Sequence, residues 1–597
     1  MFIPVSKQST TFDFVVITAD AYVDHPSFGA SIIARLVESR GFSVGIIAQP
    51  VNDKDYLRLG QPNIAFLVSG GVCDSMVNNY TSSLAARKGD EYSEGGIKGK
   101  RPDRALTVYC QKLRRLFGED ICIIIGGIEA SLRRLSHYDY WTDTVRPSIL
   151  VETDADLLVY GMGERPVLEL LKYAERGVPL GRIKSVKGTA FKLKNLKLPD
   201  DAILLPSHDE VCKDKKRYAE AFMTAFNNIE AGLDCPLRQK TVNGYHVIVN
   251  PLSPPLTQSE MDEVYALPYQ RASHPMYKMG VPALEEVEHS ITAHRGCYGG
   301  CSFCALTYHQ GKVIQSRSLQ SIVNEGEKIA GSPTFKGYIH DVGGPSANFH
   351  VSPCGLESQG RRRSEDKSFK CSRNCIGHKV CSNLKADHSE YLSALRAVSR
   401  IKGVGKVFIR SGIRYDYLMM DKPQVLDEIV KNHVSGQLKI APEHNSDKVL
   451  RLMNKPSFAV YKKFINNFEE SSRNAGLKQF LVPYFVSSHP GCTLEDAYNL
   501  MLYLKGIGYM PLQVQDFYPT PSTLSTTMYY CGFDPRDGKP LYVARNKKEK
   551  AMQRALLQWR IPKNRGLIAE AEKIVKAKNE KENVRNKSNK CKKSKKF

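Results

Sequence analysis

Cys297, Cys301 and Cys304 are spaced C-x3-C-x2-C within the glycine-rich stretch Arg295-Gly296-Cys297-Tyr298-Gly299-Gly300-Cys301-Ser302-Phe303-Cys304. Three thiolates on one tight loop can bind three corners of a four-iron cluster. A cluster held entirely by protein takes four cysteines, so the missing ligand leaves one iron open. An open iron can chelate a substrate or cofactor, as an open zinc position does in hydrolases. Zinc is the alternative metal, and it wants a fourth Cys or His, which His294 or His309 could provide. A second group, Cys354, Cys371, Cys375 and Cys381, is spaced C-x16-C-x3-C-x5-C. Its segment, residues 352–388, is rich in Arg, Lys and Ser and has too few apolar residues to form a core unaided. A metal clip would order it. Four thiolates suit tetrahedral zinc or a second four-iron cluster, unligated thiols are the third reading, and His378 is a substitute ligand. No acid, base or nucleophile stands out as catalytic.

Fifteen cysteines in a chain without an evident signal segment point to metal or redox chemistry before disulfides. No stretch approaches the roughly 20 apolar residues of a membrane span, which places the protein in the cytoplasm by expectation. The charged fraction of 25% and hydrophobic fraction of 42% belong to globular chains. At 597 residues two or three cores are expected. The net charge of +23 is uneven: Lys573 to Phe597 carries eleven basic and two acidic residues. That tail lacks apolar periodicity and is expected to be disordered, either attracting RNA, DNA or anionic membrane non-specifically or serving only as a solubilising end.

The elements that would position the cysteines fall into two β-α series. In the first, Phe12 to Thr18, Ser43 to Ala48, Ile64 to Val68, Ile121 to Ile125 and Leu157 to Tyr160 read as buried strands, with a helix from Ser31 to Ser39. They predict an open, mostly parallel, doubly wound sheet over 1–185. Residues 186–285, with proline clusters such as Pro251-Leu252-Ser253-Pro254-Pro255, read as a connector. The second series starts at 286. Strands near Tyr338, Lys406, Gln437 and Gln479, separated by helical stretches, predict a full or partial (β/α) barrel over 286–510 with the Cys-rich insertion 352–388. A C-terminal extension, 511–565, and the basic tail, 566–597, complete the expected organisation. The fold class expected is therefore α/β.

The triad spacing, Phe303 before the last cysteine and the place on the first barrel loop resemble the radical S-adenosylmethionine (SAM) superfamily. The blocks Asp20 to Gly29, Gly126-Gly127-Ile128-Glu129-Ala130-Ser131-Leu132-Arg133-Arg134, His137-Tyr138-Asp139-Tyr140-Trp141 and Ser411-Gly412-Ile413-Arg414-Tyr415-Asp416 are similar to its YgiQ-type family over residues 10 to 565. The resemblance implies a [4Fe-4S] cluster on the triad whose open iron takes SAM, and a reductant such as flavodoxin or ferredoxin. It also places Gly343, Gly344 and Pro345 at the SAM amino group, with Pro345 standing where the family has Glu, and sets Ser411 and Glu443 as ribose- or carboxylate-contacting positions. Cobalamin-binding domains of similar plan precede many such barrels. Where histidine ligates cobalt they carry Asp-x-His-x-x-Gly, whereas here Asp24 and His25 are adjacent, so cobalamin is not the favoured occupant. The resemblance names a chemistry and not a substrate. RNA or protein is preferred over a small metabolite on the basic balance. A sulfur-inserting, methylthiotransferase-like enzyme that uses a second cluster, and a nucleic-acid-binding protein with a structural cluster, are the competing functions.

Overall fold

A computed structural model describes residues 1–7, 11–194, 202–231, 235–355, 374–512 and 514–593. The N-terminal part is built on a sheet that has nine strands among the described residues. Its parallel strands are β1 (Phe14–Thr18), β2 (Val44–Ala48), β3 (Ala65–Ser69), β4 (Ile123–Gly126) and β5 (Leu157–Val159), in the spatial order β2-β1-β3-β4-β5. Their residues alternate between two cores: Val15, Ile17, Ile123 and Ile125 pack on one face, and Phe14, Val16 and Ile124 on the other. Both faces are covered, which is why these strands read as unbroken apolar runs. Helices α1 (Gly29–Glu38), α2 (Ala105–Phe117) and α3 (Glu164–Glu175) are connections of this sheet.

The stretch read as a connector contributes four further strands. β6 (Thr189–Lys194), β7 (Ile203–Leu205), β8 (Leu237–Lys240) and β9 (Tyr245–Val249) extend the same sheet in the order β7-β8-β9-β6 beyond β5. The pairings β5–β6, β6–β9 and β8–β9 are antiparallel. β8 alternates buried Leu237 and Gln239 with Arg238 and Lys240, and β6 and β9 each bury three consecutive residues at one end only, so none of them reads as an unbroken apolar run.

The second part is an arc of parallel pairings in chain order, the partial (β/α) barrel. β10 (Ser290–Thr292) pairs with β12 (Asp341–Gly343), and β11 (Tyr338–Ile339) pairs with β13 (Lys406–Val407). Ile413 bridges in parallel to Ile440 of β14 (Gln437–Glu443), β14 pairs with β15 (Phe480–Ser487), and β15 with β16 (Gln515–Asp516). Helices α4 (Leu319–Ala330), α5 (Ser389–Ser399), α6 (Pro423–His433), α7 (Phe458–Asn474) and α8 (Leu494–Gly506) lie between the strands. The core under them is continuous with Tyr138 and Tyr140 of the N-terminal part.

Beyond α9 (Lys547–Leu557), the basic stretch expected to be disordered is helical over its described residues, α10 spanning Arg565–Lys593, and residues 594–597 lie outside the described residues. Ala571 and Val575 anchor its first turns in the barrel core, and Glu572 pairs with Lys576 one turn on. Alanine, glutamate and lysine are strong helix formers, so once this start is docked the rest can propagate without an apolar face of its own. Among the described residues no helix is long and apolar enough to cross a membrane.

Candidate functional site

Directly after β10 the chain turns into the cysteine loop. His294 and Arg295 pair antiparallel with Gln315 and Ser316, fixing its base, and Cys304 caps the helix Ala305–Gln310 at its exit. Gly296 and Gly300 take φ of +88° and +57°, conformations that side chains resist. Inside the loop the Cys297 N–H donates to Gly311 O at 3.1 Å and the Cys304 N–H to Cys301 O at 3.2 Å. All three cysteines are unbridged thiols. Burial, and after it the neighbouring Cys301 and Cys297, pushes the Cys304 thiol up to about 11. The Cys297 thiol is raised by burial and by Cys301, and opposed by the Arg414 cation. The three sulfurs thus lie within reach of one another's charge, and proton loss from Cys297 and Cys304 is disfavoured until a cation compensates it. Soft donors grouped beside a guanidinium fit an iron–sulfur cluster. Among the described residues no three His, Cys, Asp or Glu side chains converge to hold a single metal ion. His309 Nδ1 instead lies 3.1 Å from Ser131 Oγ, and His294 is buried against Gly344.

Next to the loop, a cavity of about 580 Å³ opens between the ends of the sheet strands and the mouth of the barrel. Its walls come from both parts: Ser69, Gly126, Gly127 and Met162 on one side, Asp341, Gly343, Gly344, Pro345 and Ser411 on the other. Strand ends of this kind are where α/β sheets and barrels bind ligands. Ser411 donates its hydroxyl to Asp341 Oδ2 at 2.7 Å, and the Ser411 and Arg410 N–H groups donate to Asp341 Oδ1 at 3.0 and 2.7 Å. Burial raises the Asp341 carboxyl, and these hydrogen bonds oppose it. A Cβ at Gly343 would collide with Ser411 Oγ, and one at Gly344 would lie 2.6 Å from His294 Nε2, so both glycines are demanded by close approach. Glu443, at φ +66° on the last position of β14, does not line this cavity and faces Lys455 at 3.4 Å. The walls are joined by a buried ion pair between Glu164, which opens α3, and Arg295. Arg295 also lies 5.1 Å from the Tyr265 ring and donates to its hydroxyl at 3.1 Å. Neither partner stands out in the sequence, because the contact spans 131 residues.

Curated relatives extend along almost the whole molecule. A UPF0313 protein of Clostridium botulinum (strain Loch Maree / Type A3) is 51% identical over 588 residues, covering 96% of this chain and 89% of its own. Another, from Clostridium perfringens (strain 13 / Type A), is 49% identical over 575 residues, covering 95% and 85%. The chain belongs to the UPF0313 family.

This UPF0313 chain also matches the family Radical SAM N-terminal over residues 4–290 and a domain of unknown function over 512–581, which makes it a radical SAM enzyme whose reaction is unspecified. Among solved structures it is similar to the radical S-adenosylmethionine methyltransferase TsrM of Kitasatospora setae, at 14% identity and TM-score 0.47, over 85% of this chain and 74% of that one. It is likewise similar to the cobalamin-dependent radical enzyme OxsB, at 10% identity and TM-score 0.43, over 89% and 57%.

In the UPF0313 chain the described ends of the Cys-rich insertion dock on the triad loop. Cys354 bridges antiparallel to Leu384, and the Cys381 N–H donates to Cys375 O at 3.0 Å. Cys375 and Cys297 touch the same small apolar cluster of Tyr298, Phe349, Ile376 and Tyr417. Asn454, at φ +55°, ties the two segments: its Nδ2 donates to Gly300 O at 3.0 Å and its Oδ1 accepts from the His378 N–H at 3.4 Å. Cys371 lies outside the described residues.

Proposed function

We propose that the protein reductively cleaves SAM at a [4Fe-4S] cluster held by Cys297, Cys301 and Cys304, and so starts radical chemistry on a substrate lodged in the cavity between sheet and barrel. The observation that carries this reading is the enclosure of three free thiols on the loop after the first barrel strand, beside that cavity. When bound, the cluster supplies the one electron that breaks a C–S bond of SAM. The chain's own part is to hold and exclude. Gly343 and Gly344 leave room for the methionyl end, with backbone carbonyls replacing the acidic side chain that Pro345 does not offer. Ser411, its hydroxyl proton held by Asp341, turns lone pairs toward a sugar hydroxyl. The apolar strand ends on the sheet side keep water from the reacting centre. Glu443 acts through Lys455 rather than on the cofactor. The electron comes from a flavodoxin or ferredoxin, and RNA or a protein is the favoured substrate.

A second reading, sulfur insertion in the manner of methylthiotransferases, is favoured by the contact of Cys375 and Cys297 with one apolar cluster. The two readings separate on metal content after anaerobic reconstitution. Two clusters give about eight irons, a zinc clip gives about four irons and one zinc, and a triad alone gives about four irons. Retention of all iron by Cys375→Ala would remove the second cluster, and retention by the Cys297→Ala, Cys301→Ala and Cys304→Ala triple variant would remove the first.

A further inference from the structure

Two of the three residues between Cys297 and Cys301 are glycines, and they are glycines for different reasons. Gly300 needs its φ of +57°. Gly299 has no left-handed backbone to explain it, but a Cβ there would collide with Arg414 Nη1 and stand 3.4 Å from Cys297 Sγ. The missing side chain is the opening through which a guanidinium reaches the sulfurs. Arg414 Nη1 donates to Cys301 Sγ at 3.9 Å. Its Nε and Nη2 donate to Asp416 Oδ1 and Oδ2 at 2.9 and 2.6 Å, a two-pronged grip that sets the plane of the fork. Its backbone is fixed by Asn348, whose Oδ1 accepts from the Arg414 N–H at 2.9 Å and whose Nδ2 donates to Arg414 O at 3.2 Å. The Phe349 ring lies 5.7 Å away. At 6% exposure Arg414 is a buried cation with a committed direction.

We propose that Arg414, admitted by Gly299 and aimed by Asp416, is a positioning residue that eases reduction of the cluster on the triad. The inference rests on the cluster assignment above and deepens it. Three thiolates on a doubly positive four-iron core leave one net negative charge. One electron from an external low-potential donor, with no bond made or broken, leaves two. The more negative state gains more from a fixed N–H and positive charge at the sulfur, and hydrogen bonds to cluster sulfurs are among the determinants of reduction potential. Lysine cannot reproduce the arrangement, because a point charge cannot grip Asp416 with two donors while sending a third to Cys301.

The test is a redox titration followed by electron paramagnetic resonance, with iron analysis, on the anaerobically reconstituted full chain. It compares the parent with Arg414→Met, Arg414→Lys and Gly299→Ala. At a fixed poise the reduced-to-oxidised ratio falls about tenfold in Arg414→Met, the scale of one charge-assisted hydrogen bond, or ~59 mV for a one-electron couple. Gly299→Ala, which keeps every charged group, falls likewise by displacing the fork, and Arg414→Lys recovers part of the loss. The Gly299→Ala/Arg414→Met double variant falls no further than either single one, because both remove one contact. Parent-like potentials in Gly299→Ala and Arg414→Lys with iron retained would overturn the proposal. Absence of iron from the reconstituted parent would instead strike the cluster assignment itself.

Discussion

Glu164 and Arg295 meet with side chains only 3% and 5% exposed, and each is the other's compensation in a place that water does not reach. Removing one partner leaves the other charge buried and unpaired, a loss of about 3–5 kcal/mol. Glu164→Gln is therefore expected to lower unfolding free energy by about that amount in urea, and a change below about 1 kcal/mol would show that the pair is solvated. This contact illustrates what sequence could and could not reveal at the level of residues. The cysteine triad was legible because its three donors lie within eight positions of one loop. Arg414, 113 residues from the cysteine it touches, stands in the stretch Ser411 to Asp416 and carries no sign of its target there. Asn454, 154 residues from Gly300, gave none at all.

Among elements, the parallel strands of the N-terminal sheet are readable because burial on both faces writes them as apolar runs. β6 to β9 do not stand out because their apolar stretches are short: β8 alternates Leu237 and Gln239 with Arg238 and Lys240, and β6 and β9 each bury only three consecutive residues. The basic end was read as disordered because composition reports charge and not docking, whereas Ala571 and Val575 fasten it. That correction moves a boundary. A truncation beginning at Lys573 removes buried Val575 and should cost about 1.5–3 kcal/mol. One beginning at Glu582 spares it and should leave the urea midpoint unchanged. The shorter truncation still removes most of the tail's positive charge, so it should weaken RNA binding and flatten its dependence on salt. Equal stabilities of the two truncations would place Val575 outside the core.

At the scale of the molecule, burial holds several imidazoles neutral: His137 and His489 are pushed down to about 3, and His350 and His444 to about 4, from 6.5. The unfolded chain takes up protons near pH 6.5 while the folded chain does not until pH 3–4, so the unfolded state binds more protons throughout that window. Stability therefore rises with pH there, and the urea midpoint is expected to fall as pH drops from about 6.5 to about 4. A flat midpoint across the window would mean that these rings are solvated or already charged in the fold. The same packing that keeps them neutral joins sheet and barrel around one cavity, and the central claim concerns what happens beside it. It is tested most directly by incubating the reconstituted protein anaerobically with SAM and dithionite and measuring 5′-deoxyadenosine by chromatography. The parent is predicted to form it and the Cys297→Ala, Cys301→Ala and Cys304→Ala triple variant to form none, whereas equal amounts from both would contradict the assignment.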